Sequence, residues 1–304
     1  MKTRALVVGL GEVLWDLFPS GKVLGGAPAN FAYMAHLLGD RGVVASRVGV
    51  DALGQEACAV MASLGVSTQY LQKDCEHETG FAEVAIDEAG QPIFKIKEFV
   101  SWDFLEWTPA WEDLARKVDV VCFGSLAQRS ATSAATVDRF LQASRPEALR
   151  IFDVNLRQKY HSNEILERSL RYADILKLTD HELVRLTSLL GFKARGEIER
   201  ARQLLEECNL KLVCVTRGSR GSVLVSHEET VEHRGIAVTV VDAVGAGDAF
   251  TACLAHHLVR GRSLQEISEF ANRLASWVAT QRGATPFVDR LEVQHIIAGT
   301  ARKA

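Results

Sequence analysis

One run near the carboxyl end, Val241-Asp242-Ala243-Val244-Gly245-Ala246-Gly247-Asp248-Ala249-Phe250, gathers residues able to do chemistry. It sets two carboxylates, Asp242 and Asp248, around a glycine loop, and a long apolar segment of helical character follows through Leu258. Small residues just before a helix leave successive backbone N–H groups exposed at its positive end, where an anion can bind. Asp248, in the first turn, has a plain reading as a carboxylate that complements the helix dipole. Two carboxylates beside such a loop would nevertheless repel an anion unless one of them serves a reaction. A carboxylate next to an anion hole is what removal of the proton from an attacking hydroxyl requires in phosphoryl transfer.

Three other stretches carry chemistry. In Gly25-Gly26-Ala27-Pro28-Ala29-Asn30 the glycines let the backbone approach a ligand, and Asn30 is expected to start a helix with an amide that binds hydroxyls; by itself the pair reads equally as a turn. Val215-Thr216-Arg217-Gly218-Ser219-Arg220-Gly221 suits a turn that faces phosphates, or a simple hairpin connection. Phe152-Asp153-Val154-Asn155-Leu156-Arg157 ends an expected central strand, where ligands bind in open α/β sheets. The Arg157 guanidinium there suits a phosphate or an acidic sugar.

The elements that must position these groups follow from the apolar pattern. Strands are expected at Ala5–Leu10, Val43–Val48, Val118–Phe123, Arg150–Val154, Ile175–Leu178, Leu212–Thr216 and Ser222–Val225. Helices are expected between them at Ala27–Leu38, Gly54–Leu64, Thr132–Ala143, Ile165–Tyr172, Asp180–Leu190 and Glu197–Cys208. Apolar strands without alternation, separated by amphipathic helices, make a mostly parallel sheet covered on both faces. Glu12–Leu24 and Gly80–Trp102 alternate instead, the second turning at Asp87-Glu88-Ala89-Gly90, and read as a small antiparallel sheet placed as a lid. One α/β body over residues 1–304 with lid segments at about 12–24 and 80–102 is the expected organisation.

Composition narrows the function. The 304 residues are 47% hydrophobic with net charge −3, enough for a large core and unlike a disordered chain. Lys plus Arg number 35 against 38 Asp plus Glu, which argues against a basic nucleic-acid surface. No stretch approaches 18 apolar residues, and Met1-Lys2-Thr3-Arg4 with Ala5–Gly9 is too short for a signal peptide, so no membrane partner is expected. Six scattered cysteines without C-x-x-C suit a reduced, cytoplasmic protein. No G-x-x-x-x-G-K-[ST] occurs, and Gly9-Leu10-Gly11 lacks the third glycine of a dinucleotide fingerprint, Leu14 standing there. His256-His257 cannot both face one ion, and Trp102, Trp107 and Trp111 read as packing ahead of a ligand pocket or dimer contact.

Asp242-Ala243-Val244-Gly245-Ala246-Gly247-Asp248-Ala249-Phe250 resembles the D-[TS]-x-G-A-G-D-x-F motif of the ribokinase/PfkB carbohydrate kinases, and Gly25–Asn30 resembles their G-G-x-x-x-N motif. Both fall at the expected ends of a chain of the expected length. The resemblance implies a ribokinase-like fold and transfer of the ATP γ-phosphate to a sugar or nucleoside hydroxyl. It implies that Asp248 is the catalytic base and that Gly245, Ala246 and Gly247 form the anion hole. It places Asp16, Gly25, Gly26, Asn30, Asn155 and Arg157 on the sugar. Leu178-Thr179-Asp180-His181-Glu182 resembles the family's N-x-x-E segment, with Thr179 replacing the asparagine, and Glu182 is implied to hold Mg²⁺ through water. Thr216, Gly218 and Gly221 match its T-x-G-x-x-G nucleotide turn, and Asp242, Val244, Gln281 and Gly283 match a loop implied to hold K⁺. Asp153–Arg157 and Gly11-Glu12 resemble fructokinases more than adenosine kinases, so fructose is the leading substrate. The alternatives are 2-keto-3-deoxygluconate, ribose, or a silent sugar-binding regulator. The expected partners are a sugar and ATP, with a homodimer through the lid edge.

Overall fold

The structure, a computed structural model, describes residues 4–19, 21–86 and 92–300. The turn expected at Asp87–Gly90 and the first three residues lie outside the described residues. Strands run in chain order as β1 (Leu6–Leu10), β2 (Leu14–Phe18), β3 (Gly21–Gly25), β4 (Arg41–Gly49), β5 (Leu71–Asp74), β6 (Gly80–Ile86) and β7 (Pro92–Ile96). They continue as β8 (Val120–Phe123), β9 (Leu149–Asp153), β10 (Ile175–Thr179), β11 (Leu212–Thr216), β12 (Ser222–Val225) and β13 (Thr230–His233). The helices are α1 (Ala27–Leu37), α2 (Ala52–Ser63), α3 (Pro109–Lys117), α4 (Ala131–Ala143) and α5 (Asn163–Tyr172). After them come α6 (Asp180–Leu189), α7 (Glu197–Glu207), α8 (Ala246–Leu258), α9 (Leu264–Ala279) and α10 (Arg290–Ala298).

Nine strands form one sheet in the order β13-β12-β11-β10-β9-β8-β1-β4-β5. It is parallel from β11 through β5, and only β12 and β13 join antiparallel. Its central strands are buried on both faces because they read Leu-Val-Val, Val-Val-Cys-Phe or Ile-Leu-Lys-Leu with little polar alternation. Adjacent residues divide between two cores. Val7 and Val120 pack with Phe31, Met61, Phe250 and Leu274 beneath α1, α2, α8 and α9, while Val8 and Val121 pack with Leu114, Phe140, Leu166 and Leu204 beneath α3, α4, α5 and α7. That split is the two-residue period of a strand sandwiched between helix layers.

The second sheet has four strands in the order β3-β2-β6-β7. The expected single segment Glu12–Leu24 becomes the antiparallel pair β2–β3, and Glu12 itself lies ahead of it, buried. β6 pairs parallel with β2 and antiparallel with β7. Trp102 and Trp111 are fully buried in the core, so packing is their structural role. Both histidines of the pair are buried too, His256 Nδ1 standing 2.7 Å from the Asp40 carboxylate. Among the described residues no helix is long and apolar enough to cross a membrane.

Candidate active site

β1 is where strand order reverses: β4 and β5 lie on one side of it, and β8 to β11 on the other. Such a reversal opens a crevice at the carboxyl ends of the strands. Gly11 and Glu12 leave β1 there, Gly124 leaves β8, and Asp153 closes β9. Glu12, Gly124, Asp153, Asn155, Asp248 and Thr251 line one small cavity.

Two helices point their amino ends at this crevice, and their glycines decide how. Gly9 in β1 is bare because a Cβ there would stand 2.0 Å from the Pro28 carbonyl oxygen, so the first turn of α1 rests directly on the strand. Gly245, the residue before α8, has φ 80 and sits where a Cβ would stand 2.5 Å from the Ala284 side chain. Among the described residues no side chain caps α1, α4, α7 or α8, whereas α2, α3, α5, α6, α9 and α10 are each capped by one. In α8 the Ala246 N–H already donates to the Ala243 carbonyl at 3.3 Å, and in α1 the Ala29 N–H donates to that of Gly26 at 3.0 Å, so a ligand would draw on the remaining first-turn N–H groups.

The structure corrects the place of Asn30. Helix α1 starts at Ala27 behind Gly26, because Pro28 is suited to the first turn, so Asn30 lies inside the helix. From there its Nδ2 donates to Asp248 Oδ2 at 2.7 Å, joining the two glycine-led motifs. Asp16 on β2 reaches back to the glycine step, its Oδ2 standing 2.8 Å from where a Gly25 Cβ would lie. Asn155 has φ 40 and turns into the cavity beside Asp248. Arg157, two residues on, is exposed, and its positive charge is felt by Glu12, Asp16 and Asp248.

Sequence reasoning missed Lys177 and the chemical weight of Glu12 and Asp153. Lys177 Nζ lies 3.0 Å from Asp153 Oδ1, and a Cβ on Gly247 would stand 3.0 Å from that same Nζ. Burial opposes its charge, but Asp153, Glu182 and Asp248 together hold its pKa above the ordinary lysine value. A fixed ammonium thus sits against the first turn of α8. Thr251 Oγ1 donates to the other Asp153 oxygen at 3.1 Å. The available signal was a lysine in the middle of an otherwise apolar strand, Ile175-Leu176-Lys177-Leu178.

Burial and charge crowding push the site's carboxyls upward. Asp248 rises to about 6, from burial first and the Asp153 charge second, with Asn30, Lys177 and Arg157 opposing. Asp16 rises to about 6 through burial, opposed by Arg157 and reinforced by Asp242. Glu12 rises to about 7, chiefly by burial. At about 6, Asp248 is a better proton acceptor than an ordinary aspartate and still largely ionised near neutrality, whereas Glu12 is then about half protonated.

Farther along the sheet, Thr179 and Thr216 end β10 and β11 as register partners. Gly218 opens a single 3-10 turn with φ 57 and Gly221 leads into β12, so this turn is the β11–β12 hairpin connection, held at the carboxyl edge of the sheet. Glu182 closes a capping box with Thr179 and also accepts from the Leu156 N–H at 2.7 Å, tying α6 to the Asp153–Arg157 loop. Asp242 accepts from the Val244 and Gly283 N–H groups, each at 3.0 Å, which brings those loops together. The Gln281 amide instead donates to Thr280 at 2.8 Å. Among the described residues no three His, Cys, Asp or Glu assemble as metal ligands. Magnesium here would therefore lean on phosphate oxygens and water, and a monovalent cation on backbone oxygens.

A nine-stranded, mostly parallel sheet flanked by helices, a small separate sheet and an uncapped helix led by Gly-Ala-Gly-Asp define a ribokinase-like phosphotransferase that acts on an alcohol group. A family model described as pfkB family carbohydrate kinase matches residues 20–290, and the chain belongs to that family. It is 29% identical to a sugar kinase named from Pyrococcus horikoshii over 94% of each chain. It is 30% identical to a fructokinase of Escherichia coli, covering 90% of this chain and 93% of the relative. The P. horikoshii kinase superposes with TM-score 0.82 at 27% identity over 96% of this chain and 100% of its own, and was also solved with ATP. A Vibrio cholerae fructokinase solved with fructose, ADP and calcium superposes with TM-score 0.81 at 24% identity over 97% of this chain and 99% of its own, a likeness of fold.

Proposed function

We propose that this carbohydrate kinase phosphorylates fructose at the expense of ATP, with Asp248 as the base. The observation that carries this reading is Asp248 at the uncapped start of α8, bonded by Asn30 from α1 at 2.7 Å. In the proposal Asp16, Gly25, Gly26, Asn30, Asn155 and Arg157 hold the sugar, and the N–H groups of Gly245, Ala246 and Gly247 with Lys177 take the transferred phosphoryl charge. Thr179, Glu182, Thr216, Gly218 and Gly221 hold the nucleotide, with Glu182 reaching Mg²⁺ through water. Asp242, Val244, Gln281 and Gly283 border a K⁺ site. The β2-β3-β6-β7 sheet closes as a lid, and its edge strands β3 and β7 offer a homodimer contact. In the proposal the protein works in the cytoplasm.

Charge supports a neutral sugar over 2-keto-3-deoxygluconate. Arg157 is the cation shared by Glu12, Asp16 and Asp248, so a substrate carboxylate would be a fourth acidic group around it. The named fructokinase relatives support the same choice. A phosphorylation screen over fructose, 2-keto-3-deoxygluconate, ribose and nucleosides with Mg-ATP tests it. Fructose should give the highest kcat/KM, and a preference of tenfold or more for another acceptor would overturn the assignment.

A further inference from the structure

Glu12 fills none of the roles above, yet it shares the tightest space of the site with Asp248. The chain leaving β1 passes under the glycine step, where a Cβ on Gly26 would stand 2.5 Å from the Glu12 carbonyl oxygen. Glu12 is 3% exposed, and its Oε2 is buried without a hydrogen-bond partner among the described residues. The cavity it lines with Asp153, Asn155, Asp248 and Thr251 measures about 10 Å³. That is about the space of one water, and a buried water is held where two to four polar groups surround it.

We propose that Glu12 is a positioning residue that relieves Asp248 of its proton through a single water in this cavity. The idea rests on Asp248 being the base, as proposed above. The substrate O–H bond breaks and an O–H bond forms on Asp248. Asp248 then donates that proton to the water, which passes one of its own to the Glu12 carboxylate. Asp248 ends as a carboxylate, the water is unchanged, and Glu12 ends as a carboxylic acid that loses its proton to solvent after product leaves.

The surrounding charges favour that direction. Burial, reinforced by the Asp248 charge, sets Glu12 at about 7, and Asp248 lies at about 6, so a proton shared by the pair rests on Glu12. Glu12's own backbone N–H, Arg157 from the loop after β9 and Arg129 from the turn after β8 oppose this, in that order. Asp153 and Lys177 face each other as an ion pair at the ends of β9 and β10, and the Cys122 thiol of β8 is pushed well up and stays neutral.

The test compares wild type with Glu12→Gln in kcat/KM for the sugar from pH 5 to 9 at saturating Mg-ATP. Dividing one profile by the other cancels titration of the nucleotide. The ratio of wild-type to variant kcat/KM, in which the Asp248 and Asp16 titrations also cancel, should rise from about one at pH 5 to about tenfold at pH 8, with a midpoint near the Glu12 value of about 7. At pH 8 the variant's kcat should be lower by about tenfold, the modest end of a proton-transfer contribution. Parallel profiles would show Glu12 to be structural only. Carboxyl ¹³C NMR of the ligand-free protein gives a second reading that needs neither turnover nor a folded Gln variant. The Glu12 resonance should titrate near 7 and move down in Asp248→Asn, and a midpoint near the ordinary 4.5 would overturn the proposal. A wild type that phosphorylates no sugar refutes the proposed function instead, and the NMR titration still decides the proton's place.

Discussion

Asp248→Asn separates a catalytic from a merely structural aspartate by the sign of two effects. The substitution keeps shape, and the new amide oxygen can still accept the Asn30 bond now 2.7 Å long. It removes a carboxylate whose pKa the fold raises from 3.8 to about 6. Folding therefore favours the protonated acid. The cost of the charge is absent below pH 3.8, grows between there and about pH 6, and is full above. About two pKa units correspond to roughly 3 kcal/mol, an upper bound because the residue keeps some solvent contact. At pH 8 the variant should thus be more stable, by about 1–3 kcal/mol or some 2–6 °C in Tm for a chain of this size. Its kcat should fall about 10²- to 10⁴-fold, the usual worth of a general base. An aspartate that only complements the α8 dipole gives the reverse: a loss of about 0.3–1 kcal/mol and near-normal turnover. A coupled assay with fructose and Mg-ATP, run beside thermal melts at pH 4 and pH 8, reads both. A variant that keeps turnover within a few-fold of the parent would refute the catalytic role, and one destabilised at pH 8 would refute the electrostatic account.

Other perturbations probe the remaining groups. Asp16→Ala should raise KM for the sugar about 10- to 150-fold, the loss of a hydrogen bond to a charged group, with little change in KM for ATP; equal effects on both would move Asp16 out of the sugar pocket. Lys177→Met strands the buried Asp153 carboxylate and should cost about 3–5 kcal/mol in urea unfolding, with most of it restored by adding Asp153→Asn; an unchanged midpoint would show the pair to be idle. His257 is buried with neither ring nitrogen hydrogen-bonded among the described residues, and burial lowers its pKa from 6.5 to about 4. The neutral ring is the folded form, so stability should decline as pH falls from 6.5 towards 4, by about 3 kcal/mol in total. His257→Leu should flatten that stretch of the stability curve, and a variant with the parent's acid slope would place the sensitivity elsewhere. Replacing Na⁺ with K⁺ in the assay should raise kcat/KM if the Asp242–Gly283 loops hold the cation, and Asp242→Ala should abolish the difference.

The sequence by itself determined the layers and the two ends of the site. Runs such as Leu212–Thr216 and Ser222–Val225 coincide with β11 and β12, and α1, α4 and α6 begin and end within one residue of expectation. Period and capping are local, so they can be read from a few neighbours. The short polar strand β5, Leu-Gln-Lys-Asp, escaped because it carries no apolar run; α9 escaped although Ser263 and Glu266 spell a capping box. What only the tertiary structure decided is which distant residues meet. Asn30 and Asp248 bond across 218 positions, Lys177 comes to lie under Gly247, and Glu12 shares a cavity with Asp248. No local pattern encodes those meetings, because they depend on β1 lying between β4 and β8 and on two helices resting their glycine ends over that junction. The shifted proton affinities are likewise products of burial and of neighbours supplied by different strands, so a spacing could name Asp248 but could not give it a pKa of about 6.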